Sequence, residues 1–214
     1  MKKLFLSLAA LLGAAMICTP LGMADEVDFP LTVTIPKATG VNIVAVSVNS
    51  ASNQFGTTPV SQFNFNPMTY TTTNNINVWL PDHYYAIDVG VTGGSGSTNI
   101  TLQYSEGSRP TLQPANSSLG YKTTASFFSI TGGPAPEDQV ITPLTTSAGS
   151  KALLIDLVGG VSITPALLNG GFFRANVGVY AGDDATNLPN GKPFVNTDVP
   201  GTYTGTLTVT ATVA

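Results

Sequence analysis

The segment Tyr203-Thr204-Gly205-Thr206-Leu207-Thr208-Val209-Thr210-Ala211-Thr212-Val213 has a threonine at every even position and, apart from Gly205, an apolar residue at every odd position. A period of two residues is typical of a β-strand with one buried face and one polar face. The same alternation recurs in many short stretches of the chain, and helical periodicity is nearly absent. Many short strands at fairly regular spacing predict an all-β fold, an antiparallel β-sandwich.

About eight to ten strands are expected from these patterns. Between residues 85–91 and 100–104, the run Gly93-Gly94-Ser95-Gly96 predicts the turn of a hairpin. Residues 105–120 are expected to form a polar loop, and residues 165–169 one short helical turn. Besides the two ends of the mature chain, the predicted strands cover residues 41–48, 63–65, 76–80, 85–91, 100–104, 125–130, 152–158 and 173–179.

The composition excludes several classes of protein. Only 9% of the 214 residues are charged and 43% are hydrophobic, and the formal net charge is −4. Charged residues normally make up about 25% of a globular chain. Nucleic-acid binding needs clustered Lys and Arg, and a disordered chain is usually poor in apolar residues. We therefore expect a folded domain that does not bind nucleic acid.

Residues 1–24 have the pattern of a cleavable signal peptide. Lys2 and Lys3 precede an apolar stretch, and Gly22-Met23-Ala24 predicts cleavage after Ala24. A lipoprotein leader that uses Cys18 is the alternative, but the preceding Ile17 is larger than the small residue that such sites favour. No later segment has the apolar length of a transmembrane helix, so export through the periplasm is expected, with no transmembrane segment after cleavage.

The mature chain is expected to begin with another alternating segment, Val27-Asp28-Phe29-Pro30-Leu31-Thr32-Val33-Thr34-Ile35, in which every odd position is apolar. Two interpretations are open. The segment can pair within its own domain, which is the commoner arrangement in β-sandwiches. It can instead complete the sheet of a neighbouring molecule by strand addition, in which main-chain hydrogen bonds give affinity and alternate side chains fill pockets.

The leader, the alternating segment at residues 27–35 and the closing Pro200-Gly201-Thr202-Tyr203-Thr204-Gly205-Thr206-Leu207-Thr208-Val209 together carry a family resemblance. The chain resembles a pilin subunit of the chaperone–usher pathway, of the alternate (colonisation-factor) type, and the related spore-coat-U-like secreted proteins. The resemblance covers the two ends; between them it is a likeness of architecture alone.

That resemblance implies an immunoglobulin-like β-sandwich that is incomplete and is completed by a donated strand. It implies a signal peptide at 1–24, a donor-strand extension at 25–37 and a pilin-like domain at 38–214. Pro30 departs from the pattern, because it has no N–H to donate and a donor strand lies between two neighbours. The implied donor side chains are Val27, Phe29, Leu31, Val33 and Ile35, and those of the acceptor groove are Tyr203, Leu207, Val209, Ala211 and Val213.

The function implied by the resemblance is a structural subunit of a bacterial surface fimbria. Its partners would be copies of itself or other pilins, a periplasmic chaperone and an outer-membrane usher. Strand donation from head to tail propagates into a filament, because the two contact surfaces differ. The alternative is a secreted carbohydrate-binding module or adhesin.

The sequence offers few residues for catalysis or metal binding. His83 is the only histidine, and it is interpreted as a loop or strand-edge residue because no nucleophile motif accompanies it. Asp183 and Asp184 match no calcium-loop spacing, so a solvated turn is expected there. We expect no enzymatic activity, no metal and no cofactor. Trp79, Tyr84 and Tyr85 are candidates for an aromatic sugar platform, with core or intersubunit packing as the favoured interpretation.

Overall fold

The structure is a computed structural model that describes residues 30–34, 41–73, 75–91, 98–132, 139–164 and 172–213. The described residues are mostly strand. They contain one short helix, α1 (Leu119–Lys122), and 3-10 segments at Ala115–Ser117 and Leu154–Leu157. The strands are β1 (Pro30–Thr34), β2 (Val41–Asn49), β3 (Gln62–Asn64), β4 (Met68–Thr73), β5 (Ile76–Pro81), β6 (His83–Val91), β7 (Thr98–Glu106), β8 (Thr123–Gly132), β9 (Gln139–Pro143), β10 (Lys151–Leu153), β11 (Val161–Ile163), β12 (Phe172–Val179) and β13 (Gly205–Val213).

Two larger sheets and one hairpin organise these strands. The first sheet has the order β11-β7-β13-β1-β3, and the second has the order β10-β8-β12-β6-β2, with β9 also paired to β8. Strands β4 and β5 form a separate two-stranded sheet. Among the described strands, β1 and β13 run parallel to each other and the other pairs are antiparallel. The predicted all-β, antiparallel class is therefore confirmed.

One apolar core takes side chains from both larger sheets. Leu207 and Val209 come from β13 in the first sheet, and Ile87 and Phe173 come from β6 and β12 in the second. Thr206, Thr208 and Thr210, at intervening positions of β13, are half-buried, as the period of two residues requires. The sheets therefore form two layers with the core between them.

The predicted strands at 41–48, 125–130 and 173–179 are confirmed as β2, β8 and β12. The predicted hairpin of 85–91 with 100–104 is wrong: β6 pairs with β2 and β12, whereas β7 pairs with β13 and β11 in the other sheet. Alternation identifies a strand but not its neighbour. The turn expected at 93–96 lies outside the described residues.

The strand predicted at 152–158 is correct only in its first part. Strand β10 ends at Leu153, and Leu154–Leu157 forms a 3-10 turn in which Asp156 Oδ2 accepts a hydrogen bond from the Leu153 N–H at 3.1 Å. Leu154 and Leu157 are both buried, because positions three apart face the same side of such a turn. The short strands β4, β9 and β11 were not predicted, and residues 165–169 lie outside the described residues.

Candidate functional site

Strand β13 lies between two neighbours that come from opposite parts of the chain. On one side it pairs antiparallel with β7 over its whole length, from Gly205 opposite Glu106 to Val213 opposite Thr98. On the other side it pairs parallel with β1, from Leu31 opposite Gly205 to Thr34 opposite Thr208. The N-terminal segment is thus inserted into its own sheet in this structure.

The described part of the predicted donor segment alternates as the sequence indicates. Leu31 is fully buried and Thr32 is exposed. Val33 lies opposite Leu207 in the backbone register, but its side chain is outside the described residues. Val27, Phe29 and Ile35 also lie outside them. The other edge of β1 pairs with the three-residue strand β3, where Pro30 lies opposite Asn64.

The predicted acceptor residues line the inner face of the last strand and the segment before it. Leu207 and Val209 are fully buried, Ala211 is 2% exposed and Tyr203 is 1% exposed. Val213 is the last residue of β13, and its side chain is not among those described. The side chains beneath the β1 position are therefore apolar, and removal of β1 would uncover them to water.

Two glycines allow the start of β13 to lie close to its surroundings. A Cβ on Gly205 would lie 2.5 Å from the Tyr104 hydroxyl oxygen, and a Cβ on Gly107 would lie 2.7 Å from the Thr204 backbone oxygen. Both separations are shorter than real contacts, so a side chain at either position would displace its neighbour. The backbone between residues 204 and 205 is consequently packed tightly against β7 and the loop that follows it.

A buried ion pair anchors the chain just ahead of β13. Lys122, at the end of α1, is fully buried, and its Nζ lies 2.8 Å from both carboxylate oxygens of Asp198. The same ammonium donates to the Pro193 carbonyl at 3.3 Å and lies 4.7 Å from the centroid of the Phe194 ring. Burial lowers the pKa of Lys122, while the Asp198 carboxylate opposes that shift.

Neutral groups complete the environment of Asp198. Its oxygens accept hydrogen bonds from Gln113 Nε2 at 2.7 Å and from the Val195 N–H at 2.8 Å. The Gln113 side chain in turn accepts from the Val199 N–H at 2.9 Å. A buried charge pair with satisfied remaining sites is costly to break, so this cluster fixes the segment before β13 to α1 and the 107–114 loop.

Tyr203 continues this anchored region into the core. Its hydroxyl donates to the Val199 carbonyl at 2.8 Å, and its ring packs edge-on to Phe194 with centroids 5.4 Å apart. Burial raises the pKa of Tyr203, and the Asp198 carboxylate adds to the shift. Burial and the negative charge of Glu106 raise the pKa of Tyr104, on β7.

Sequence reasoning missed the cluster of Lys122, Asp198 and Gln113. Lys122 lies 76 positions before Asp198 in the chain and Gln113 lies 85 positions before it, and no motif connects them. The one available signal was a lysine within a stretch of few charges, directly before strand β8.

His83, the first residue of β6, is held by backbone and side-chain partners. Its Nδ1 lies 2.8 Å from Asp82 Oδ1, and its Nε2 lies 2.8 Å from the Asn64 carbonyl oxygen and 3.2 Å from the Tyr85 hydroxyl. Because a carbonyl oxygen can only accept, Nε2 is the donor in that contact. These contacts occupy both ring nitrogens, and none of them is with a serine hydroxyl.

The turn that contains Asp184 has ordinary structural surroundings. Asp184 accepts hydrogen bonds from Asn187 and lies 3.6 Å from Lys151 Nζ, and the Asn187 contacts are the main cause of its lowered pKa. Within the described residues, no group of three or more His, Cys, Asp or Glu side chains is placed to hold a metal ion.

The three aromatic residues proposed as a sugar platform are not brought together on one surface. Tyr85 is buried and stacks on Phe63 with ring centroids 4.1 Å apart. Trp79 is half-buried, contacts the Tyr70 ring and donates from Nε1 to Asn196 Oδ1 at 2.9 Å. Tyr84 is adjacent to Tyr85 on β6 and so points to the opposite face of the sheet.

Comparison with known proteins finds no matching family model, no similar curated protein and no similar solved structure. The helices within the described ranges are all too short or too polar to cross a bilayer.

Proposed function

We propose that this chain is a structural subunit of a bacterial surface fimbria that is exported to the periplasm and polymerises by donor-strand exchange, without enzymatic activity. The observation that carries the proposal is the position of β1. A strand from the beginning of the chain lies beside β13, parallel to it, at a place lined by buried apolar side chains.

The order of the strands supports an immunoglobulin-like interpretation. Such a sandwich has strands A, B, E and D in one sheet and C, F and G in the other. The path β2-β6-β12-β8 corresponds to A-B-E-D, and β7-β13 corresponds to C-F, in the correct chain order. The G position beside β13 is held by β1, which precedes strand A in the chain. On this interpretation the last strand of the fold is supplied by an N-terminal arm.

The direction and length of β1 support exchange of that arm between molecules. A G strand joined to F by a hairpin is antiparallel to it, but β1 runs parallel over four residues. Parallel pairing is slightly less stable per residue, and ordering each residue costs roughly 1–2 kcal/mol. An arm from a second molecule is free to enter antiparallel and to pair with more of β13. Exchange then replaces a short pairing with a longer one.

An arm that leaves without replacement exposes an apolar slot. Complete burial of one Leu side chain such as Leu31 contributes about 1.5–3 kcal/mol, and the uncovered core of β13 would lose burial as well. An open, unpaired strand edge above apolar side chains is prone to aggregation. This supports a requirement for a periplasmic chaperone that covers the slot and an outer-membrane usher at which exchange takes place.

Deletion of the arm tests the proposal. Co-expressed with a periplasmic chaperone and an outer-membrane usher of the proposed pathway, the chain lacking residues 25–36 should remain a monomer bound to the chaperone, because it can accept but not donate. Size-exclusion chromatography and electron microscopy measure the product. Fibre formation by the truncated chain would contradict the proposal.

Point variants give a matched test on the same strand. Leu31→Asp places a charge on the buried face and should prevent polymerisation, whereas Thr32→Asp changes the adjacent exposed position and should leave polymers intact. Equal effects of the two variants would contradict an arm that acts through its buried face.

A disulfide can lock the arm in its own molecule. Thr32 lies opposite Thr206 in the β1–β13 register, and the only native cysteine, Cys18, lies in the predicted leader. The oxidised Thr32→Cys/Thr206→Cys variant should stay monomeric, and reduction should restore fibre formation. Polymerisation that is equally efficient before and after reduction, with the intramolecular disulfide verified by mass, would argue against exchange.

A further inference from the structure

A groove of about 550 Å³ is lined by residues of β2, β3 and β6 and of the loops after β2 and β3. It is bounded by the end of β2, the loop that returns from it, and the segment after β3, with β6 beneath. Its volume is within the range of about 300–1,000 Å³ that is usual for small-molecule sites. The groove shares Asn64 with β3, which pairs with β1, and its remaining walls take no part in the proposed polymerisation.

One wall of the groove is a tight backbone turn. Asn49 N–H donates to the Gln54 carbonyl at 3.0 Å, and the Gly56 N–H donates to the Ser47 carbonyl at 2.7 Å. A Cβ at Gly56 would lie 2.9 Å from Ser47 Oγ and 3.2 Å from the Ser47 carbonyl oxygen, so glycine favours this close return. Asn49 Oδ1 also accepts from the N–H groups of Ala51 and Ser52, which fixes the start of the turn.

The opposite wall is fixed by side chains from β6. The Tyr85 hydroxyl donates to the Asn64 carbonyl at 2.7 Å and accepts from the Asn64 N–H at 3.0 Å. His83 Nε2 donates to the same carbonyl, and the Tyr85 ring stacks on Phe63. Asn64 Oδ1 accepts from the Asn66 N–H at 3.0 Å. Both walls are therefore built in advance of any ligand, which reduces the entropy lost on binding.

The side chains that line the groove are mainly neutral groups that can both donate and accept hydrogen bonds. Four amide side chains surround it, and neither Lys nor Arg is among its lining residues. Phe55 provides an aromatic ring, which is held from one side by the Arg174 guanidinium at 4.6 Å. Arg174 is itself fixed by Asp88, with Nε–Oδ1 at 2.6 Å and Nη2–Oδ2 at 2.8 Å. The amides are Asn49, Gln54, Asn64 and Asn66.

From these features we propose that the groove binds an uncharged saccharide. Each sugar hydroxyl both donates and accepts hydrogen bonds, and an amide side chain is the neutral group that offers both roles in a fixed plane. Within the described residues, the side-chain hydrogen bonds of Asn49 and Asn64 are accepted by Oδ1, so their Nδ2 groups remain as donors for a ligand. The Phe55 ring offers an apolar surface for the C–H groups of a sugar. An anionic ligand would find no Lys or Arg in the groove.

The test is binding of the full-length exported chain, in its chaperone-bound or polymeric form, to a printed array of neutral and sialylated oligosaccharides. We expect neutral glycans to bind, and titration calorimetry with the best neutral glycan to show at least a tenfold loss of affinity for Gln54→Ala and for Phe55→Ala. Gln103→Ala is the matched control, because Gln103 is exposed on β7 in the other sheet. Polymer formation should be unchanged in all three variants, so failure here is distinguishable from failure of the proposed function.

Three results would overturn the inference. One is that the protein binds no neutral glycan on the array. Another is binding that survives in both groove variants with unchanged affinity, while circular dichroism shows them folded. The third is loss of binding in Trp79→Ala but not in Gln54→Ala, which would place the sugar on the β4–β5 hairpin instead. Gln54→Ala protects the test against misfolding, because the Gln54 side chain is exposed and its backbone carbonyl makes the turn contact.

Discussion

The two flanks of β13 differ in length, direction and origin. The β7 flank is antiparallel and extends over nine residues of β13, whereas the β1 flank is parallel and extends over four. The β7 flank is reinforced by Gly205 packed on Tyr104, and the segment before β13 is anchored by the Lys122–Asp198 pair. The comparison teaches that the two sides of one strand can be held very unequally, and under the proposed function the shorter, parallel side is the one that exchanges its neighbour.

The largest effect is expected at the anchor of the β7 flank. Lys122→Met leaves the Asp198 carboxylate buried without its cation, so the free energy of unfolding should fall by about 3–5 kcal/mol. Chemical denaturation of the monomeric chain measures this. The matched control is Lys192→Met, at an exposed position, with an expected change within about 0.5 kcal/mol.

A double variant separates loss of the ion pair from loss of packing. Asp198→Asn removes the remaining buried charge, so Lys122→Met/Asp198→Asn should be more stable than Lys122→Met alone. If the double variant were less stable than the single one, the destabilisation would come from packing and not from an unpaired carboxylate.

Truncations on the two flanks should differ. Leu102 on β7 and Leu31 on β1 are both fully buried leucines. Leu102→Ala should reduce the free energy of unfolding by about 2–5 kcal/mol, the usual range for a buried Leu. Leu31→Ala should cost less, because the arm can detach and the loss cannot exceed the free energy of its docking. Equal losses in denaturation curves would show that β1 is as integral as β7.

Alkaline pH should lower the free energy of unfolding through the buried tyrosines Tyr104 and Tyr203 on the β7 side of β13. The pKa values of Tyr104 and Tyr203 are raised by burial, so the stabilisation is fully present below the unfolded value of about 10 and is lost as the pH rises above it. Each pH unit in that window lowers the free energy of unfolding by about 1.4 kcal/mol per tyrosine.

The titration has a direct optical readout. Tyrosinate absorbance for these two residues should appear together with the loss of circular dichroism, and Tyr203→Phe should make stability less dependent on pH above about 10. Ionisation of both residues in a chain that remains folded would contradict the raised pKa values. Strands β1 and β3 contain no tyrosine, so this transition reports on the β7 flank.

The mildest perturbation is hydrogen exchange in the native chain. The amides of residues 31–34 should exchange faster than those of residues 100–104, since detachment of the arm exposes the former without unfolding the sheet. Mass spectrometry of the monomer measures both segments. In polymers the N-terminal segment should become protected. Equal protection of the two segments in the monomer would weaken the proposed exchange.

The sequence predicts the strands well and their neighbours poorly. The apolar run at 41–48, the apolar residues at 125–130 and the alternation at 173–179 were sufficient to predict strands, because each strand has to bury its own apolar positions. It could not assign β6 and β7 to different sheets, since pairing is decided by packing of the whole fold. Strand β4 was missed because most of its residues are exposed and leave no hydrophobic pattern.

Prediction of the site was limited in the same way. The apolar positions of residues 31–33 and 207–211 indicated strands with a buried face, but neither the register nor the parallel direction could be read from them. The Lys122–Asp198 pair and the amide groove join residues distant in the chain, and such convergence leaves no local signal.

The three-residue strand β3 forms the second edge of the slot that β1 occupies beside β13. Among the described strands β3 pairs with β1 alone, and its Phe63 is fully buried behind that pairing. A donated segment that paired with β13 but formed no hydrogen bonds with β3 would leave Phe63 partly exposed to water and β3 unpaired. Under the proposed exchange, the choice among competing segments would therefore depend on both edges of the slot, and the short β3 edge would disfavour segments that fit β13 alone.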